Sequence, residues 1–473
     1  MVLIDRQSGL FTDHYELTMA QGFFLSGKAE TPARFDYFFR KAPFRGSYVI
    51  FAGLQNLLGM LTEFSYDSEA REFLESRGFD ERFTEYLAGF RFSGNIWSAT
   101  EGEIVFPNEP VLSVEGNIIE CQLIESMVLN ILNFESLIAT KASRVKHAAG
   151  DREFIDFGLR RAQGTGALQA SRAAVIGGAS GTSNVLAAYK YGLESKGTQA
   201  HSWIQSFSDE LTAFREFAGA FPDSCILLVD TYNTLGTGVP NAIRVAKEME
   251  QAGYRLKGIR LDSGDLAYLS KKARKMLDAE NLGYVKIIAS NQLDEYVIRS
   301  LREQNAPIDA FGVGTNLITG KEDAALDGVY KLVYSDGRER LKISDNIEKM
   351  ILPGKKRVFR YSGEDGSFYA DGVGLEQEDS FGIIYHPFNP EKHSDISNFQ
   401  REEIVVQVMK NGKPLHNTRS IDEIAEYARE RLKKLPVEHK RFEYPHIYKV
   451  GISEKLMGTR DRLVKEIKKN QAG

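Results

Sequence analysis

The stretch LKGIRLDSGDLAYLSKKARKMLDAENLGYVKIIASNQLDEYVIRSLREQNAPIDAFGVGTN, residues 256–316, decides the fold. It alternates short apolar runs with amphipathic segments, and each run ends in a cluster of Gly, Ser, Thr, Asp, Asn or Arg. Apolar runs without alternation, such as KIIA (286–289), are the pattern of parallel strands covered on both faces. LAYLSKKARKMLDAENLG (266–283) places apolar residues three and four apart and closes on glycine, so it reads as a helix crossing back over the sheet.

The same unit recurs outward from this stretch. FIDFGLRRAQG (154–164), AAVIGGASGTSN (173–184), KGTQAHSW (196–203) and CILLVDTYNT (225–234) precede it, and NAIRVAKEMEQAGY (241–254) reads as another crossover helix. A polar cluster at the carboxyl end of every strand is what an α/β barrel needs to build one active site from many loops. The fold class expected is therefore α/β: an irregular TIM-like barrel over residues 126–335, reading as an enzyme's catalytic domain.

Residues 1–125 mix helical periodicity (REFLESRGFDERFTEYLAGF, 71–90) with strands such as EPVLSVEGN (109–117), which predicts an N-terminal α+β domain. Residues 336–473 read as a C-terminal extension packing on the other two domains. It holds strand-like EEIVVQVMKNGKPL (402–415) with a turn at Asn411-Gly412, a helix opened by a Ser420/Glu423 capping box, and a basic, solvated tail helix, TRDRLVKEIKKNQAG. His386 and His393, beside prolines, read as loop residues.

At 473 residues two or three domains are expected, and 42% hydrophobic with 26% charged residues suits a folded, water-exposed protein. A net charge of −5 gives no general attraction for nucleic acid or an anionic membrane, so an anionic ligand must be met by local cations and helix ends. MVLIDRQSGLFTDHYE at the start lacks a leader pattern and no apolar run is long enough to span a bilayer, which together predict a cytoplasmic location. Cys121 and Cys225 are too few for a disulfide framework or a thiolate zinc site and read as core residues; no zinc or haem is expected.

In GIRLDSGD, Arg260 and Asp262 lie two apart on a strand and point the same way, while Leu261 turns towards the covering helices. An isolated R-x-D is most often a structural ion pair; Ser263-Gly264-Asp265, leading straight into a helix, tips the reading towards a functional rim. GGASGTSN (177–184) opens into VLAAYKYG, which predicts free N–H groups and a helix end for a carboxylate or phosphate, although a lone glycine-rich turn is as readily a plain tight turn. GVGTN (312–316) is a second such cradle, and two on one rim suggest a ligand with separated negative groups. His201 follows a short strand-like segment; an arbitrary histidine is more often structural. Asp230 closes an apolar strand, where a carboxylate needs a cation, donors or a sugar hydroxyl, and with Asp262 it is a candidate for a Mg²⁺–diphosphate or a ribose.

Eight motifs, TDHYELTMAQ (12–21), EPVLSVEG (109–116), DFGLRRAQG (156–164), GTSNVLAAYKYG (181–192), GTQAHSW (197–203), LLVDTYNT (227–234), GIRLDSGDL (258–266) and GVGTNLIT (312–319), occur in the order found in the nicotinate phosphoribosyltransferases, which the chain closely resembles from Thr12 to about Tyr334. That family belongs to the type II phosphoribosyltransferases. The resemblance implies that nicotinate and 5-phosphoribosyl 1-pyrophosphate give nicotinate mononucleotide and pyrophosphate, a ligase-type reaction of NAD salvage coupled to hydrolysis of the cosubstrate ATP through a phosphohistidine at His201. It also implies a seven-stranded irregular barrel, an N-terminal sandwich-like domain, Mg²⁺, and a homodimer with shared active sites.

Carried over by motif, Phe157 would stack on one face of the pyridine ring and Tyr15 of the partner on the other. Arg160 and Arg260 would meet the phosphates and the carboxylate, and Arg40 the neighbouring site's pyrophosphate. Gly312, Gly314 and Thr315 would hold the 5′-phosphate, and Thr182, Ser183, Ser263, Gly264 and Asn291 would complete the substrate contacts. Asp230 and Asp262 would face the ribose or Mg²⁺. Ser183 stands where amide-using relatives have an aspartate, which favours the acid as substrate. Three rivals are a nicotinamide- or quinolinate-using relative, an aldolase- or isomerase-type barrel, and a non-catalytic phosphometabolite-binding protein. The second would need a Schiff-base lysine or acid–base pair at a strand end, and the third would lack groups such as His201 and Arg260.

Overall fold

The computed structural model describes residues 9–343 and 351–472; the leader reading at residues 1–8 lies outside them. The chain divides into two compact units, one made of residues up to 140 and from 325 onward, the other of residues 141–324. The three stretches expected from sequence cut across these units. Strand Gly328–Ser335, assigned to the catalytic stretch, pairs antiparallel with Pro32–Phe39 in the first unit, and Val405–Lys410 of the C-terminal stretch pairs with Asn95–Ala99 in the same seven-stranded sheet.

Residues 141–324 are built on a five-stranded, all-parallel sheet in the order Glu153–Asp156, Ala310–Val313, Lys286–Ser290, Gly258–Leu261, Ile226–Leu228. Helices Val239–Gln251, Leu266–Ala279 and Glu295–Glu303 are its crossovers, as read for the first two. Acids that follow the strands start the last two of these helices: Asp265 accepts from Tyr268 N, and Asp294 accepts from Tyr296 N and Val297 N. Ile259, Leu261, Ile287, Ala289, Phe311 and Val313 are fully buried, which is why these strands are apolar without alternation.

Two of the seven expected strands are absent from this sheet. AAVI (173–176) is the last turn of helix Gly166–Ile176, because the alanine-rich run before it favours the helix over a strand. KGTQAHSW contributes no strand; the edge of the sheet continues only through the isolated parallel bridges Asp156–Thr182 and Thr182–Ser195. Among the described residues the fold is mixed α/β with no closed barrel.

The first unit adds a six-stranded sheet drawn from residues 356–452. Asn411 and Gly412 both have positive φ and turn the hairpin there, and Ser420 with Glu423 forms the capping box. His386 and His393 lie in the paired strands Ile383–His386 and Asn389–Asp395 rather than in loops; Pro387 falls in the turn between them and Pro390 is tolerated on an exposed strand. The tail helix Glu454–Ala472 buries Leu456 and Arg460 in its first turns, while residues 461–470 are exposed or half-buried, as the solvated reading expects. Both cysteines are buried, and among the described residues no helix is long and apolar enough to cross a membrane.

A buried charge cluster joins the N- and C-terminal parts of this unit. Arg360 bonds Asp371 through Nε and Nη2 at 2.9 and 2.7 Å and Glu103 at 2.5 Å, while Arg431 Nε reaches Glu103 at 2.8 Å. Phe106 N donates to Glu109 at 2.9 Å, but burial and, next, the Asp371 carboxylate push the Glu109 carboxyl well above its usual range. A raised folded-state pKa means that Glu109's contribution is fully present below its unfolded pKa and is lost as pH rises through the folded one. Glu109→Gln, which keeps a neutral side chain, is expected to gain stability over wild type as pH is raised from 5 to 9, a difference read from urea midpoints at the two pH values.

Candidate active site

Parallel register sets the site. Leu228 is level with Arg260, Arg260 with Ile288, and Gly312 with Ser290 on one side and Ile155 on the other. Carrying this register two residues forward aligns Asp230, Asp262, Ser290 and Gly312 in one row across four strand ends. The row is bonded along its length. Asp262 N and Ser263 Oγ each donate to Asp230 Oδ2 at 2.7 Å, and Ser290 Oγ donates to Asp262 Oδ1.

Arg260 lies along this row. Its Nε donates to Ser290 Oγ at 2.8 Å, Nη2 to Asp262 Oδ1 at 2.6 Å, and Nη1 to Thr198 Oγ1 at 2.9 Å. The guanidinium is 5.5 Å from the centre of the Phe157 ring. Burial alone would raise the Asp262 pKa; hydrogen bonds from Ser290 and Arg260, then the Arg260 charge, outweigh it and hold the carboxyl below its usual range. One oxygen of the row, Asp230 Oδ1, is buried without a hydrogen-bond partner.

Phe157 owes its place to glycine. A Cβ on Gly312 would overlap the Phe157 ring, and Phe157 N is tied to Val313 O at 2.9 Å. Gly312 thus leaves space for that ring inside the ladder, while Gly314 and the exposed Thr315 stand past the strand end, at the start of the turn Thr315–Ile318. Asn291, exposed with φ 87°, begins the next loop.

The second expected cradle is not one. In GGASGTSN the N–H groups of residues 177–180 and 182–184 are spent on the protein itself, among them Ser180 on Phe154 O, Ser183 on Asp156 O and Asn184 on Thr182 Oγ1. The loop returns as an addition to the sheet edge and needs these donors for its own bridges. Thr182 is fully buried and donates to Asp156 Oδ2 at 2.7 Å, so it positions the loop rather than touching a substrate; the Ser183 side chain is half-buried. Asp156 also accepts from Ser171 Oγ and Gly158 N at 2.8 Å each, and burial still pushes its carboxyl up.

His201 opens the short helix His201–Gln205, its Nδ1 3.0 Å from Thr231 Oγ1 and its Nε2 4.0 Å from Asp262 Oδ2. Arg160 is exposed on a 3₁₀ turn and forms no hydrogen bond or ion pair among the described residues. Ser263 and Gly264 are exposed at the end of the row. Tyr15, exposed on helix His14–Leu25, and Arg40 belong to the other unit, where the Arg40 guanidinium lies 5.4 Å from the Phe38 ring. Sequence reasoning missed Ser290, Thr198 and Thr231. The signal for Ser290 was its place, since the end of KIIAS falls level with Asp262 once the parallel strands are aligned. Among the described residues no group of three or more His, Cys, Asp or Glu side chains could hold a metal by itself.

Family models of the nicotinate phosphoribosyltransferase N-terminal domain, of the nicotinate phosphoribosyltransferase (NAPRTase) family, and of its C-terminal domain match residues 10–133, 152–366 and 355–460. The chain belongs to the nicotinate phosphoribosyltransferase family. It is 42% identical to the nicotinate phosphoribosyltransferase of Bacillus subtilis over 98% of this chain and 96% of that one, and 36% identical to that of Dictyostelium discoideum over 95% and 87%. The crystal structure of human nicotinic acid phosphoribosyltransferase superposes with a TM-score of 0.85 at 31% identity, covering 96% of this chain and 99% of that one. A nicotinate-nucleotide pyrophosphorylase from Pyrococcus furiosus superposes with a TM-score of 0.72 at 25% identity, covering 90% and 95%. The family's C-terminal domain model thus covers residues beyond Tyr334, where the sequence motifs end.

Ser290→Ala removes the acceptor of Arg260 Nε and the hydroxyl donor to Asp262. Hydrogen bonds to charged groups contribute about 1.5–3 kcal/mol, so kcat/KM for the family's reaction is expected to fall about 10- to 100-fold. With a donor to its ionised form gone, Asp262 titrates at higher pH, and the acid limb of the pH–rate profile should move upward.

Proposed function

We propose that this chain transfers the phosphoribosyl group of 5-phosphoribosyl 1-pyrophosphate to nicotinate, releasing pyrophosphate and forming nicotinate mononucleotide in NAD salvage, in a cytoplasmic setting. The observation that carries the reading is the bonded row Asp230–Asp262–Ser290 beneath Arg260 and Phe157, with His201 at its rim. Relatives named for this activity at 36–42% identity over nearly the whole chain support the substrate pair.

Phe157 offers a flat apolar face for the pyridine ring at small conformational cost. Arg260 commits one Nη2 hydrogen to Asp262 and keeps the other for a ligand anion, held in a fixed direction by its bonds to Ser290 and Thr198. As the bond from the ribose anomeric carbon to the pyrophosphate oxygen breaks, positive charge grows on the ribose ring, and the pyridine nitrogen supplies the new bond. Asp230 and Asp262 are ionisable groups already oriented by the sheet, so they favour that charge without reorganising. Asp230 Oδ1 would suit either a ribose hydroxyl or Mg²⁺, and the ion, if held by Asp230 and Asp262, would supply positive charge to offset that of the leaving diphosphate.

ATP coupling would run through His201. An imidazole nitrogen bonds to the γ-phosphorus while the bond to the ADP oxygen breaks, and water later takes the phosphoryl group to release phosphate. A phosphoryl group there adds negative charge beside Asp262, which changes affinity for pyrophosphate rather than the glycosidic step. The bridges Asp156–Thr182–Ser195 support an irregular TIM-like reading of residues 141–324. Tyr15 and Met19, exposed and one helical turn apart, support a homodimer in which Tyr15 and Arg40 serve the partner's site.

A mononucleotide-formation assay with nicotinate, nicotinamide and quinolinate, each with and without ATP, tests the reading. Nicotinate should be used and stimulated by ATP; product from nicotinamide or quinolinate alone would refute it. His201→Ala is expected to lose the ATP stimulation. Ser183→Asp, which sets a carboxylate near the acid substrate, should raise KM for nicotinate at least 10-fold in the same assay.

A further inference from the structure

Gln199 stands between two parts of the site. Thr198, before it, accepts from Arg260 Nη1 at 2.9 Å; the Gln199 carbonyl lies 3.5 Å from the same nitrogen; and His201 follows two residues on. Its side chain is an anomaly. The residue is only 5% exposed, yet neither amide atom, Nε2 or Oε1, has a hydrogen-bond partner. Each buried polar group without a partner costs about 1–3 kcal/mol, and native proteins keep few of them. An apolar side chain of equal length would avoid that cost, so the amide needs a reason to be there.

We infer that the Gln199 amide is a substrate contact, and that its ligand is a ribose phosphate. The choice of ligand follows from donor and acceptor counting. The amide presents two N–H donors and one carbonyl acceptor, and both kinds are unpartnered. The carboxylate and ring nitrogen of a pyridine acid accept only, as do the oxygens of pyrophosphate, and would leave Oε1 without a donor. A ribose hydroxyl donates to Oε1, while an adjacent hydroxyl or phosphate oxygen accepts from Nε2. The phosphoribosyl donor and ATP both carry this chemistry. The inference rests on the phosphoribosyl transfer argued above and adds a residue that the recognised motifs do not assign to it.

Two variants test it in the full-length enzyme. Gln199→Met keeps the side-chain length and removes both unpartnered groups. It is expected to raise the thermal midpoint of the ligand-free enzyme and to raise KM for one ribose-phosphate substrate at least 5-fold, with KM for nicotinate within 2-fold of wild type. Gln199→Glu replaces the donor by an anion and should raise the same KM more than Gln199→Met does. KM values measured separately for 5-phosphoribosyl 1-pyrophosphate and for ATP show which ligand makes the contact, and the thermal shift produced by that ligand should shrink in both variants. A lower midpoint for Gln199→Met with all KM values unchanged would make the residue structural and overturn the inference, as would a change confined to nicotinate. Absence of mononucleotide formation by the wild-type enzyme is a different result, and overturns the proposed reaction instead.

Discussion

Parallel pairing is the constraint from which the site follows. Because neighbouring strands run the same way with a fixed register, the residue after each apolar run arrives at the same height, and Asp230, Asp262, Ser290 and Gly312 become neighbours although they are spread over more than eighty residues of chain. Nothing in the loops has to bring them together. What the loops add, Thr198, His201 and Thr231, is fastened to that row through Arg260 and Asp262.

The row also sets a fixed positive charge into an acidic protein. Its net charge is −5, and at the strand ends the Arg260 guanidinium offers a local cation for an anionic ligand. Arg260 is held by a carboxylate, two hydroxyls and an aromatic face, and its direction is settled before any ligand arrives. Such preorganisation replaces the rearrangement that a mobile surface arginine would require.

The sequence was most legible where periodicity and strand-end chemistry agreed. Residues 225–234, 256–265, 285–294 and 308–316 all hold strands where apolar runs were read, and Arg260 with Asp262 share a face as their spacing required. Reading failed where a local pattern had two solutions. AAVI is as good a helix end as a strand, and the alanines before it decided the matter. GGASGTSN has the composition of an anion cradle, but whether backbone donors are free depends on partners distant in sequence, here Phe154 and Asp156. Ser290 escaped notice because serine at the end of an apolar run is ordinary; only the alignment of neighbouring strands gives it a role.

The first unit is assembled from both ends of the chain, and this orders events during synthesis. Asn95–Ala99 has no partner on its Val405–Lys410 side, nor Pro32–Phe39 on its Gly328–Ser335 side, until the ribosome has added about 300 further residues. The residues between, 141–324, need only one another to complete their sheet. Loop closure over such separations is slow, so the nascent N-terminal strands must wait with apolar edges uncovered while the interposed segment can already be native.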